Sequence, residues 1–161
     1  YEIGDIWVKS PTLFNGYCRD PDATAEALDQ DWLLTGDMGA MDEDGFLSVM
    51  DRRKDMVISG GINIYPREVE EVLMRHESIA EAAVVGIPDA EWGERLAAVI
   101  VLKPGQPGSV DGIISYCRGF LGGYKVPRQI SFVEALVRNP AGKVMKRTIR
   151  EHLSRDIEGT P

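Results

Sequence analysis

The sequence predicts an α+β fold: a β-rich opening segment, then a small domain in which a hairpin leads into a short central β-sheet flanked by helices. Two patterns carry that expectation. Apolar runs of strand length are bounded by Gly, Pro and Asp, and helical spacing of apolar residues begins at Pro66 and again after Ser109. A third observation divides the chain. Arg52-Arg53-Lys54-Asp55 is a run of charged side chains that cannot be buried without partners, so 52–55 reads as an exposed connection and a hinge between 1–51 and 56–161.

Taken in order, residues 3–8 read as a strand. Asp20 followed by Pro21 caps a short helix through Leu28. Residues 32–41 and 46–51 are strand-like around Asp44-Gly45, a hairpin signal. A second hairpin is expected near 55–64, with Gly60-Gly61 at its turn. Pro66 suits the first position of a helix to about His76, with Val69, Val72 and Leu73 on one face. Strands are expected at about 80–86 and 97–102, separated by a loop of roughly ten residues that allows antiparallel pairing. A helix follows Ser109 with Val110, Ile113, Ile114 and Cys117 on one face. A strand at 129–133 and a final helix at about 146–153 complete the series.

At 161 residues and 43% hydrophobic composition, the chain can build one ordinary core, or a small domain plus an appended piece of another. No apolar run approaches a membrane span, and Tyr1 to Ser10 lack the regions of a signal peptide, so a soluble cytoplasmic protein without an integral membrane part is expected. Cys18 and Cys117 have no metal-ligand spacing and read as reduced bystanders. His76 and His152 sit in no ligand cluster, which argues against a protein-held metal. A formal charge of −8 argues against nucleic acid, whose binding leans on Lys and Arg. The charge is uneven: 118–150 carries a local +7, either a solvated basic face or a surface that attracts a phosphorylated ligand. Gly142-Lys143 is no P-loop, since Val144 stands where a Ser or Thr would bind magnesium.

Several short motifs suit chemistry. Asp37 follows Thr35-Gly36 after the apolar run from Trp32, where a carboxylate can accept two hydroxyl donors at once. Gly60 and Gly61 permit unusual backbone torsions and close approach of another molecule. Gly142 keeps a turn open so that Lys143, a compact ammonium with three donors, is presented from a loop.

These motifs together resemble the AMP-forming acyl-CoA synthetases, the acyl-adenylate-forming superfamily. Trp32-Leu33-Leu34-Thr35-Gly36-Asp37 is similar to the family's Trp-x-x-Thr-Gly-Asp motif. The stretch from Arg52 to Glu70 resembles its linker and first carboxy-terminal hairpin, and Asn139-Pro140-Ala141-Gly142-Lys143 resembles its terminal Gly-Lys motif. Val84 to Asp89, Trp92-Gly93-Glu94 and Tyr124 to Arg128 are similar in type and order. Two departures are Asp51, where the family usually has Gly, and Val137, where a Pro usually precedes the Arg.

The resemblance implies roughly the last third of such an enzyme: 1–51 would be a β-rich remnant of the large amino-terminal domain, 52–55 the hinge and 56–161 the mobile carboxy-terminal domain, with the large domain as its partner. It implies a carboxylic acid, ATP with Mg2+, and CoA as reactants. Asp37 and Arg52 would hold the ATP ribose, Lys54 would be the pivot, and Lys143 would be the adenylation lysine. Gly60 and Gly61 would line the path of the CoA thiol, and Lys125 and Arg128 are weaker candidates for CoA phosphates. Trp92, Gly93 and Glu94 read as a structural loop. The isolated chain is expected to be inactive. Two alternatives are an adenylation domain that loads a carrier protein, and a non-catalytic fragment that binds nucleotide or a partner. Oligomeric state and the acid that is activated are not legible.

Overall fold

Residues 2–158 are described by a computed structural model, and they separate into two units, one through Lys54 and one from Asp55 onward. In the first, β1 (Gly4–Lys9), β2 (Leu28–Asp29), β3 (Trp32–Met41) and β4 (Leu47–Arg52) form an antiparallel sheet. β3 is its centre, with β1 along one edge and β2 and β4 sharing the other. Asp20 caps α1 (Pro21–Ala27) by accepting from Ala23 N at 3.0 Å. Asp42 closes the β3–β4 turn, its Oδ1 accepting from Phe46 N at 2.7 Å. Among the described residues of this unit only Gly39 and Asp51 are buried, so it has no apolar core of its own. Trp7, Trp32 and Phe46 remain 42%, 46% and 72% exposed. Asp51, the residue that stands where the family usually has Gly, lies within β4 opposite Met38, inside the stretch expected to be a strand.

The second unit contains β5 (Val57–Ser59), β6 (Ile62–Ile64), α2 (Pro66–Met74), β7 (Ile79–Asp89), β8 (Gly93–Leu102), α3 (Val110–Arg118), β9 (Gln129–Phe132) and α4 (Lys146–Glu158). β8 pairs with β7 along one edge, antiparallel, and with β5 and β9 on the other, β9 being parallel. Among the described residues no strand lies beyond β7, so it is one edge of the sheet. Alternation sends Val84, Ala98 and Ile100 to a core shared with Val69 and Leu73 of α2 and Ile113 and Cys117 of α3. Ala83, Val85, Ile87, Ala97 and Val99 face the opposite way and meet Leu136 and, from α4, Ile149 and Leu153. Burial on both faces explains why the β7 sequence reads as a continuous apolar run. Burial also pushes the Cys117 thiol pKa up, which keeps it a neutral core residue.

Several boundaries differ from the expected ones. The roughly ten-residue loop is only 90–92, because both strands continue in register to the pair Asp89 and Gly93, so that Gly93 and Glu94 belong to β8. α2 stops at Met74 because His76 turns the chain, accepting from Ser78 N at its ring and from Ile79 N at its carbonyl. On α3 the buried residues are Ile113 and Cys117, while Val110 at its first position is 40% exposed. α4 runs past 153 to Glu158.

Candidate functional site

In the first unit, Asp37 and Arg52 are directly opposite on β3 and β4, which puts their side chains on one face of the sheet. Arg52 Nε forms an ion pair with Asp37 Oδ1 at 3.0 Å. Asp37 is positioned by Thr35, whose hydroxyl donates to the Ile6 carbonyl at 2.9 Å and accepts from Asp37 N at 3.1 Å. Both charged side chains remain partly open to solvent, so a polyhydroxyl ligand can exchange into the pair. Gly36, Arg52, Arg53 and Lys54 line a concavity of about 440 Å³ beside it. Lys54 is exposed and lies in a 3-10 turn over Arg53–Asp55 that follows β4. A larger concavity of about 590 Å³ around Phe14 and Gln30 includes none of the expected site residues.

In the second unit, Lys143 is on an ordered loop that leads into α4. Gly142 takes φ of +80°, a left-handed torsion that suits glycine. Lys143 N donates to Asn139 Oδ1 at 2.9 Å, and Asn139 N donates back to the Lys143 carbonyl at 2.9 Å. Lys143 is exposed, and its ammonium has no hydrogen-bond or ion-pair partner among the described residues. An ammonium so presented is available to an anion that arrives from outside.

The glycine hairpin forms a separate place on the same unit. Gly60 and Gly61 both take positive φ, +58° and +81°. Open space alone does not explain Gly60: a Cβ there would come within 2.7 Å of the Trp92 ring, whereas at Gly61 nothing lies within 4 Å. Gly60 N donates to the Trp92 carbonyl at 2.9 Å. Asp89 in turn holds the Trp92 loop, its Oδ1 accepting from Trp92 N and Glu91 N, both at 3.0 Å. These bonds hold the Asp89 carboxyl pKa below the usual carboxylate range, with the Trp92 amide as the largest cause. Trp92 was expected to be a structural loop residue; it closes a cleft of about 190 Å³ with Gly60, Tyr124 and Arg128. The Arg128 guanidinium lies 5.6 Å from the centre of the Trp92 ring, a cation–π contact.

The basic stretch 118–150 is less of a free surface than its charge implied. Lys125 donates to both carboxylate oxygens of Glu68 at 2.7 Å, which engages the lysine expected for CoA phosphates. Arg138 pairs with Glu81, and Arg147 with Glu151 at 2.9 Å. Lys146 pairs with Glu70 at 2.8 Å, where both side chains are less than one-fifth exposed. The acids that neutralise the stretch come mostly from α2 and β7, far away in sequence. Among the described residues no group of His, Cys, Asp and Glu could hold a metal, and no helix is long and apolar enough to cross a membrane.

The family of AMP-binding enzyme C-terminal domains matches residues 68–143, which ends on Lys143 itself. The chain belongs to the acyl-adenylate-forming superfamily, as its carboxy-terminal region. It is 47% identical over 149 residues to the 3-[(3aS,4S,7aS)-7a-methyl-1,5-dioxo-octahydro-1H-inden-4-yl]propanoyl:CoA ligase of Rhodococcus jostii, a match that covers 92% of this chain and 29% of that one. Among solved structures, the o-succinylbenzoate CoA synthetase of Bacillus subtilis, in complex with its acyl-adenylate intermediate, superposes with a TM-score of 0.88 at 41% identity, covering 93% of this chain and 31% of that one. The amide bond synthetase of Marinactinospora thermotolerans matches equally well, with a TM-score of 0.88, 41% identity and coverage of 94% and 31%. The chain thus spans about a third of the length of the relatives it matches.

Proposed function

We propose that this acyl-adenylate-forming chain supplies the movable part of an ATP-dependent acid–thiol ligase, with one working surface for each half-reaction. In the first, a carboxylate oxygen of the acid attacks the α-phosphorus of ATP, the bond to pyrophosphate breaks, and acyl-adenylate forms. In the second, the sulfur of CoA attacks the acyl carbon, the bond to AMP breaks, and the thioester is released. The observation that carries this reading is the exposed, loop-presented ammonium of Lys143, without a partner among the described residues. Two anions must meet in adenylation, and a preorganised cation there lowers the cost of the charge that gathers on the transferring phosphate. Asp37 and Arg52 fit the ribose diol of ATP, a carboxylate to accept its hydroxyls and a guanidinium beside it to hold the carboxylate in place. Lys54 is the pivot about which the second unit turns. Gly60, Gly61 and the Trp92 cleft serve the thiol arm of CoA. Magnesium would travel with ATP, and the described residues offer it no ligand set.

The test uses the full-length parent enzyme. Lys143→Ala should slow pyrophosphate release on the order of 10²- to 10³-fold while thioester formation from supplied acyl-adenylate is spared. Equal loss in both steps would make Lys143 a structural residue and overturn the assignment. Supplying CoA and a carrier protein in parallel identifies the acceptor.

A further inference from the structure

Arg138 lies five residues before Lys143 and its guanidinium spans two partners. One terminal nitrogen, Nη1, donates to the Gly142 carbonyl at 2.7 Å. The other, Nη2, donates to Glu81 Oε2 near the start of β7. The Gly142 carbonyl belongs to the peptide that joins Gly142 to Lys143, so whatever fixes that oxygen fixes the plane from which the Lys143 side chain departs. The same turn is braced by Gly142 N donating to the Asn139 carbonyl at 2.8 Å and by the mutual bonds of Asn139 and Lys143. Leu136, buried in the core under α4, ties the segment to the sheet just before Arg138. Lysine would be a poor substitute for Arg138, since a rigid planar fork can hold a carbonyl and a carboxylate at fixed angles and a single ammonium cannot. Glu81 and Arg138 are 42% and 43% exposed, and exposed ion pairs of this kind add little to stability. Their effect is therefore on direction more than on folding.

We infer that Arg138, oriented by Glu81, is a positioning residue for adenylation: it clamps the peptide before Lys143 so that the ammonium is presented in one direction. The inference rests on the reading of Lys143 as the adenylation lysine. Arg138 touches no reactant in this account and acts only through Lys143.

The experiment is a double-mutant cycle in the full-length parent, with the two half-reactions measured apart. Arg138→Met and Glu81→Gln should each lower the rate of pyrophosphate release by about 10- to 100-fold, the range that misplacement of a catalytic group produces. Arg138→Lys should restore little of the loss. The KM for ATP and the rate of thioester formation from supplied acyl-adenylate should stay at parental values. Added to Lys143→Ala, Arg138→Met should cost nothing further, because groups that act as a unit are not additive. Additive losses would mean that Arg138 works on the reactants directly, and parental rates in Arg138→Met or Glu81→Gln would mean that the clamp is idle; either result overturns the inference. If Lys143→Ala itself spares adenylation, the failure lies in the reading of Lys143. Should Arg138→Met lower the thermal transition, Glu81→Gln, which leaves the guanidinium in place, carries the test.

Discussion

Gly60 holds φ at +58° with the Trp92 ring filling the position a side chain would take, so Gly60→Ala meets a torsional cost and a clash together. A loss of about 1 to 3 kcal/mol is expected, read as a lower urea midpoint, with Gly61→Ala less affected because its Cβ would enter open space. In the parent enzyme Gly60→Ala should slow thioester formation more than adenylation; the reverse order would detach the hairpin from the CoA step. At this scale the sequence gives away residues whose chemistry is local. Asp37, Gly60, Gly61 and Lys143 stand out within short motifs. Glu81 and Asp89 do not, because what they hold is visible only when the chain is folded: Arg138 is 57 residues from Glu81, and Asp89 matters through Trp92 and the Gly60 amide that bonds it.

Among elements, α2 is the one that joins the others. Glu70 accepts from Val84 N of β7 at 2.8 Å and pairs with Lys146 at the start of α4. Glu70→Ala would leave a largely buried ammonium and an edge-strand amide unsatisfied together. The expected cost is about 3 kcal/mol, seen as a lower midpoint in denaturant with both helices still formed. The turn between β7 and β8 predicts a pH effect. Asp89 has a folded pKa depressed below the ordinary 3.8, so its contribution to stability is complete above that value and is lost as pH falls through the lower folded value. Asp89→Asn keeps an oxygen for the Trp92 and Glu91 amides but does not titrate. The parental chain should therefore lose stability relative to Asp89→Asn as the solution is acidified below pH 3.8, and parallel curves would remove Asp89 from the acid response. Helix starts at Pro21, Pro66 and after Ser109 were legible because capping is written in adjacent residues. Strand ends were not, because the register of β7 against β8 continues through Pro88 and Asp89, residues that read as a loop.

Among the described residues, apolar burial is confined to one unit. Every buried hydrophobic side chain among the described residues lies at Val57 or beyond, while the first unit leaves Trp7, Trp32 and Phe46 exposed. Residues 55–161 alone should therefore keep the main unfolding transition of the 161-residue chain. Disappearance of that transition would show that the first unit stabilises the second. The change of pattern at Arg52 to Asp55 was legible as a charged run, but the lack of a core before it was not. The resemblance implied that 1–51 is the end of a larger domain, but which of its apolar residues are left exposed is visible only in the folded sheet, where none of the described ones is buried.

The two-sided sheet has a consequence for the order in which the domain is made. α4 closes one face of β7 and β8, with Ile149 and Leu153 over Ala83, Val85 and Val99, yet it is synthesised after every strand it covers. While the nascent chain is still on the ribosome, that face is bare and only the α2 and α3 side can be shielded. The loop that bears Lys143 lies directly before α4, between Leu136 and Ile149, the two residues that anchor it to the sheet. The lysine is therefore among the last parts of the domain to find its place, after the framework that aims it has been built.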